Sequence, residues 1–509
     1  MTKINPIIRQ DYPDPDIIRV GDTYYLLSTT MHFFPGGSLL ASHDLVNWEI
    51  INYLYTDALD SVPGESMLYE QNIYSHGMWA PTLRYHNGTF YALFISIASG
   101  RTFIFTATDP ARTWKRTTVK GTYHDASLLF DDDKVYVVYG NREIKITELD
   151  PVSFEQKKKG LNITAFTDTH NVGLGYEGSH IYKINGYYYI FNIHWPKTDP
   201  AIRTQVVHRA KKIEGPYEEF EMIRDDTDLP GMGIAQGGIV DDPDGNWYGF
   251  FFRDNGACGR IPMLTGITFK NGWPTVGKNG KIAPFKLPVS TKPSHRYAPL
   301  FASAFGEKTR KGELRLRKQW QFNHLPDYDA FSFTEDTFTI RTKSLSCNVC
   351  EARNTLTQRT FFPGCSAEVT VDATALNEFD HAGLCVLQSN YCELSITKEF
   401  GTFYLCLITR DPEDNVRERY DCLPGKVEEK IRLSSPVVRL RIDIDFTDLK
   451  DICTFSYKTG RRFEKLGYTH HLRFTLDHFC GARFGVFAYS ALIAGGSAVF
   501  RDFKYSREE

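Results

Sequence analysis

The 509-residue chain is too long for one compact core and calls for two or three domains, and its 42% hydrophobic and 14% aromatic content can fill them. A formal net charge of -3 gives no electrostatic basis for a nucleic-acid or anionic-membrane partner. No run of eighteen apolar residues exists to span a bilayer, so no membrane partner is expected.

The start, MTKINPIIRQ, carries neither an apolar run nor a cleavage-site pattern, so a cytoplasmic location is expected. The Asn87 and Asn162 glycosylation sequons then carry little weight. From Asp11 the chain reads DYPDPDIIRVGDTYYLLSTT: three carboxylates against two prolines, then two strand-like runs around a Gly21-Asp22 turn. Similar strand–turn–strand units follow around Tyr91, Tyr136, Tyr188 and Tyr248. Each is a β-hairpin signature. With Tyr25 as the first anchor, the spacing is 45 to 66 residues, the size of a four-stranded propeller blade. A weaker repeat (SHDLVNWE, TATDPARTW, HRAKKIEGPY) follows the first, second and fourth hairpins, where an outer strand would leave a blade. The prediction is an all-β chain with a five-bladed β-propeller over residues 1–290.

Eleven residues before each anchor tyrosine stand Asp14, Ala80, Asp125, Glu177 and Gly237. Equivalent positions in successive blades share one ring around the propeller axis, so three acids distant in sequence should converge at one mouth of the channel. Asp14 is singled out by this frame; Asp11 and Asp16 are not. Crowded carboxylates cost desolvation and mutual repulsion, which a purely structural role does not explain. Two carboxyl groups flanking a pocket are what glycosidic cleavage uses, one to protonate the leaving oxygen and one to activate water or attack carbon. A third acid near the proton donor would raise the donor's pKa.

From Lys281 to Pro299, four prolines in KIAPFKLPVSTKPSHRYAP indicate a linker or crossing segment, assigned to 291–318. Over 319–509, alternating segments such as SAEVTVDAT, RLRIDIDF and ARFGVFAYS predict an antiparallel, jelly-roll-like β-sandwich. This domain either binds polysaccharide or walls off the propeller's pocket, and the aromatic-rich loops favour the second role. Nine of the ten cysteines fall after residue 340. Cys347 and Cys350 form a lone C-x-x-C pair without the second pair that zinc would need, so reduced structural thiols are expected.

The motifs YPDPDIIRVGDTYY, WAPTLRYHNGTFY, HDASLLFDDD, YEGSHIYKINGYYY and CGRIPMLTGITFKNGWP resemble glycoside hydrolase family 43. That family comprises β-xylosidases, α-L-arabinofuranosidases and arabinanases on five-bladed propellers, and the second part of the chain resembles the β-sandwich of its xylosidase-type members. The family is inverting. The resemblance therefore implies Asp14 as general base, Glu177 as general acid, and Asp125 as the group that orients Glu177 and tunes its pKa. It implies sugar binding by Arg260 and Trp79; Met31, His32 and Phe33 of the loop TTMHFFPGG, and Gln236, complete the candidate pocket. Many members carry His where this chain has Gln236, and in some that His helps hold a metal at the propeller centre. Gln236 argues against a calcium requirement and leaves open a calcium ion held otherwise at the propeller centre; no cofactor is required and no metal-ligating residue is assigned. The implied function is exo-acting release of terminal α-L-arabinofuranose or β-D-xylose from xylan-derived oligosaccharides. The alternatives are a sugar-binding propeller without turnover and a retaining fructan-type hydrolase. The sequence leaves the oligomeric state open, and a homo-oligomer is compatible with it.

Overall fold

A computed structural model describes residues 4–412 and 422–508. Five four-stranded antiparallel sheets follow one another in chain order, each a simple meander: the propeller blades. Their innermost strands are Asp16–Val20, Thr82–His86, Ser127–Asp131, Val172–Ile184 and Ile234–Asp241. The anchor tyrosines all lie on the second strands. The first hairpins close tightly because their turn residues tolerate left-handed backbone: Asn87-Gly88 and Asn185-Gly186 place both central residues at positive φ, as a two-residue type I′ turn requires.

Each blade packs on its neighbours through an apolar interface, which is why its strands read as near-continuous hydrophobic runs. Phe94 and Phe103 of blade two meet Leu27 and Leu39 of blade one; Val137 of blade three meets Ile104 of blade two. The ring closes where Tyr248, Phe250 and Leu264 of blade five pack on Ile17, Tyr24 and Leu40 of blade one. The N-terminal segment completes the closure along blade five's third strand, Arg260–Lys270: Ile7 and Tyr12 donate their amides to Pro262 and Arg260 (both 3.1 Å), and Asn5 bonds Leu264 in both directions.

The axis is occupied by a polar cluster drawn from every inner strand. Asp16 is fully buried; its carboxylate takes Arg84 at 2.7 Å, His180 Nδ1 at 3.1 Å and the Leu83 amide at 2.7 Å. Arg84 also donates to Ser127 Oγ and the Leu128 carbonyl of blade three. In blade five a Cβ on Gly238 would lie 2.9 Å from Asp16 Oδ1 and 2.7 Å from the Tyr182 hydroxyl, so glycine is what lets the fifth strand approach. Burial alone would raise the Asp16 pKa, but Arg84, His180 and Leu83 together hold it well below the ordinary carboxylate range.

After Thr275 the chain runs without regular strands until Gly306–Lys308. It lies against blade one, where His295 meets Glu49 at 2.7 Å and the His43 amide donates to the Tyr297 hydroxyl. The C-terminal domain is a sandwich of an eight-stranded and a seven-stranded antiparallel sheet, with Phe338, Val369, Leu384, Ile442 and Phe500 in one shared core. Its edge is not its own: Phe33–Phe34, from a blade-one loop, pairs with Gln321–Asn323 and extends the eight-stranded sheet. Asp11 ties the two domains further, accepting from the amides of Arg260 and Gly481 (both 2.8 Å), while Arg359 donates to the Asp11 carbonyl and Ser38 Oγ. All ten cysteines are free. Among the described residues no helix is long and apolar enough to cross a membrane.

Candidate active site

At one mouth of the propeller a cavity of about 430 Å³ is lined by Asp14, Trp79, Ala80, Asp125 and Glu177, together with Met31, Gln236, Arg260 and Phe479. Asp14 and Asp125 stand two residues before their inner strands and Glu177 lies within its own, Val172–Ile184, and the backbone there is unusual. Asp14 and Asp125 adopt φ of 52° and 46°, and Gly178 follows Glu177 at 61°. The pairing of blade four's first hairpin slips on both sides of Glu177. Such left-handed residues and bulges re-aim side chains at a cost, and they concentrate at functional sites.

Asp14 is 4% exposed. Its Oδ1 pairs with Arg260 Nη1 at 3.0 Å and its Oδ2 accepts from Thr29 Oγ1 at 2.7 Å. Burial pushes its pKa up, opposed by the Arg260 charge and the Thr29 hydroxyl; the net direction is upward, so this carboxylate is more basic than an ordinary aspartate. Across the cavity, Asp125, Glu177 and His124 bring ligand-type atoms within 4.8 Å of one another. Glu177 Oε2 accepts from the Asn141 side-chain amide and lies 3.4 Å from His124 Nε2. The Asp125 carboxyl is pushed up to about 7, by burial above all; His124 opposes this, and Glu177 and Asp14 add to it. The Glu177 and Asp14 carboxylates thus both act on the Asp125 carboxyl, which stands beside Glu177 where the sequence reading places a group that orients and tunes the acid.

The remaining wall is aromatic. The Trp79 indole is fixed by its N–H to the Ser75 carbonyl (2.7 Å) and packs on His124 and Phe479, with ring centroids 5.7 and 5.8 Å away. Phe479 comes from the sandwich, and the Arg260 guanidinium lies 4.5 Å over its ring. Asp125 Oδ1 and Arg260 Nε are buried without a hydrogen-bond partner among the described residues; such groups mark where a polar ligand would bind.

A divalent cation at the propeller centre fits these residues poorly. The axial carboxylate, Asp16, is already matched by Arg84 and His180, and Gln236 offers only a neutral amide, its side chain lying against Gly178.

The family model for glycosyl hydrolases family 43 matches residues 4–274, and that for the beta-xylosidase C-terminal concanavalin A-like domain matches 312–506. The chain belongs to glycosyl hydrolases family 43. Among relatives of this family 43 chain, a beta-xylosidase of Formosa agariphila is 30% identical over 67% of the chain and 62% of its own length. A non-reducing end alpha-L-arabinofuranosidase of Bacteroides ovatus is 30% identical over 78% and 76%. A bifunctional GH43-CE structure from Bacteroides eggerthii superposes with a TM-score of 0.88 at 36% identity, covering 99% of this chain and 64% of that one. The chain thus spans less than two thirds of two of these relatives.

The family 43 chain departs from its sequence reading at His32 and Phe33. Neither lines the cavity. His32 is 3% exposed and packs among Phe33, Tyr74 and His324, with ring centroids 4.2 to 4.9 Å away; Phe33 lies 3.4 Å beneath the buried Arg483 guanidinium. Only Met31 of that loop reaches the cavity: its left-handed backbone, φ 51°, turns the chain there, and His32 and Phe33 pass on into the domain interface. In blade five, Gln236 rather than the in-frame Gly237 lines the mouth, with φ 53° beside a register shift. Sequence reasoning missed His124, Asn141, Leu174 and Phe479. His124 stands in the same HDAS motif that marked Asp125; nothing local marks Phe479.

The Phe479 wall gives a direct expectation. Phe479→Ala should raise KM roughly 5- to 30-fold, equivalent to about 1–2 kcal/mol of lost apolar packing, with kcat nearly unchanged. Steady-state kinetics on a pentoside would show this; a fall in kcat as large as the rise in KM would refute a purely wall-forming role.

Proposed function

We propose that this chain is an exo-acting, inverting glycoside hydrolase that removes terminal pentoses, α-L-arabinofuranose or β-D-xylose, from xylan-derived oligosaccharides. The observation that carries the reading is three carboxyl groups from three blades around one cavity, unlike in their surroundings: Asp14 clamped by Arg260 and Thr29, and the Asp125–Glu177 pair opposite. In this reading Asp14 takes a proton from water as that water attacks the anomeric carbon. Glu177, oriented by Asn141 and His124, gives its proton to the departing oxygen, and Asp125 tunes that acid. The Formosa beta-xylosidase and the Bacteroides ovatus arabinofuranosidase support the pentose assignment. No step is assigned to a cation or cofactor. A binding protein without turnover would need the aromatic wall but not three acids.

The test is hydrolysis of nitrophenyl α-L-arabinofuranoside and β-D-xyloside, followed by NMR of the first-formed sugar. Release with inverted anomeric configuration is expected. A retained anomer would make Asp14 a nucleophile, as in the fructan-type alternative, and no release from either compound would favour the binding protein.

We infer a cytoplasmic setting, acting on imported oligosaccharides, because ten unbridged thiols suit a reducing compartment. Thiol titration of the purified chain under denaturing, non-reducing conditions should find most of them free; four or five disulfides would overturn the inference.

A further inference from the structure

On the far side of Glu177's strand lies a second cluster that the proposed reaction does not use. Asp168 follows the outer strand of blade three, His170 lies in the crossing to blade four, and His194 stands on blade four's second strand, Tyr187–Pro196. One ligand atom from each falls within 4.8 Å of the others. Asp168 and His194 are 5% and 4% exposed. Asp168 Oδ2 and His194 Nε2 face each other at 3.3 Å, yet neither has a hydrogen-bond partner among the described residues. Buried polar atoms left in this way ask for a ligand.

We propose that Asp168, His170 and His194 form a binding site for one divalent transition-metal ion, best suited to Zn²⁺. Ligand atoms about 2.0–2.2 Å from a tetrahedral zinc stand about 3.3 Å apart, the spacing found between Asp168 and His194. Two imidazoles and one carboxylate make a donor set typical of zinc, whereas calcium and magnesium take oxygen ligands. His170 Nδ1, 3.0 Å from Asp168 Oδ1, supplies the third ligand, and its half-exposed ring leaves the fourth position to water. An outer shell is in place at the carboxylate: the His170 amide donates to Asp168 Oδ1 at 2.9 Å. Such partners orient metal ligands. The ion would pin the crossing between blades three and four, next to the segment that presents Glu177.

The His124–Asp125–Glu177 group is the competing site, so the test must separate the two. The full chain is stripped with a chelator and titrated with ZnCl₂ by calorimetry, with metal content measured after gel filtration. One Zn²⁺ per chain is expected in the wild type and in Glu177→Gln. Affinity should fall about 10–100-fold or more in Asp168→Asn and His194→Gln. Zn²⁺ should raise the thermal unfolding temperature of the wild type but not of His194→Gln, and Co²⁺ should give a tetrahedral visible spectrum in the wild type and Glu177→Gln but not in His194→Gln. His170→Gln, at the surface, serves if the buried variants fail to fold. A wild type that binds no zinc, or binding that survives loss of His170 and His194 and disappears in Glu177→Gln, would overturn the proposal.

Discussion

Asp14→Asn, Glu177→Gln and Asp125→Asn should each lower kcat by about 10²–10⁴-fold while leaving the folded state intact, the range for positioned acid–base groups. Amides are the appropriate replacements. They keep the Thr29 contact of Asp14 and the Asn141 and His124 contacts of Glu177, whereas alanine at position 14 would strand the buried Arg260 charge. The three variants should separate by pH. The wild-type rate should follow a bell, with its acid limb set by protonation of the base, Asp14, and its basic limb by loss of the proton that the general acid must donate. Removing the Asp125 charge removes a repulsion that favours protonation of Glu177, so the basic limb of Asp125→Asn should move to lower pH. A limb that stays in place or moves upward would show that Asp125 does not act on the acid's proton.

Asp16→Ala should do the opposite: unfold the protein before it affects chemistry. The Asp16–Arg84 pair is buried at the axis and joined to His180 and Ser127. Removing the carboxylate leaves a guanidinium uncompensated where four inner strands meet. Breaking such a buried pair costs about 3–5 kcal/mol, so denaturant unfolding should show a large loss of stability. The sign with pH follows from the depressed Asp16 pKa: its contribution is present at neutral pH and is lost only as pH falls below the ordinary carboxylate range. The stability gap between wild type and Asp16→Asn should therefore narrow in acid. Equal stability at pH 7 would mean that the axial cluster does not hold the ring together.

What could be read from the sequence was local. A hairpin announces itself within twenty residues, so five hairpins fixed the blade count, and a constant offset from Tyr25, Tyr136 and Tyr188 picked out the three acids that line the cavity. The axial cluster escaped because its partners lie 67 to 164 residues apart: Asp16 looked like an unremarkable neighbour of Asp14. Phe479 escaped for the same reason, arriving from another domain. His32 was misassigned because adjacency to Met31 was read as a shared face, when the left-handed backbone at Met31 turns the chain into the domain interface.

The Phe33–Phe34 strand has a consequence for how the two halves of this chain can be inherited. A propeller separated from its sandwich would leave this strand's backbone donors and acceptors unpaired, and the sandwich would lose the outermost strand of a sheet. The same two residues sit two and three positions beyond Met31 in the cavity wall, while Phe479 crosses in the other direction. The halves are therefore not interchangeable cassettes. An exchange of C-terminal domains between related chains would alter the pocket along with the seam, so substrate preference and domain compatibility would have to change together.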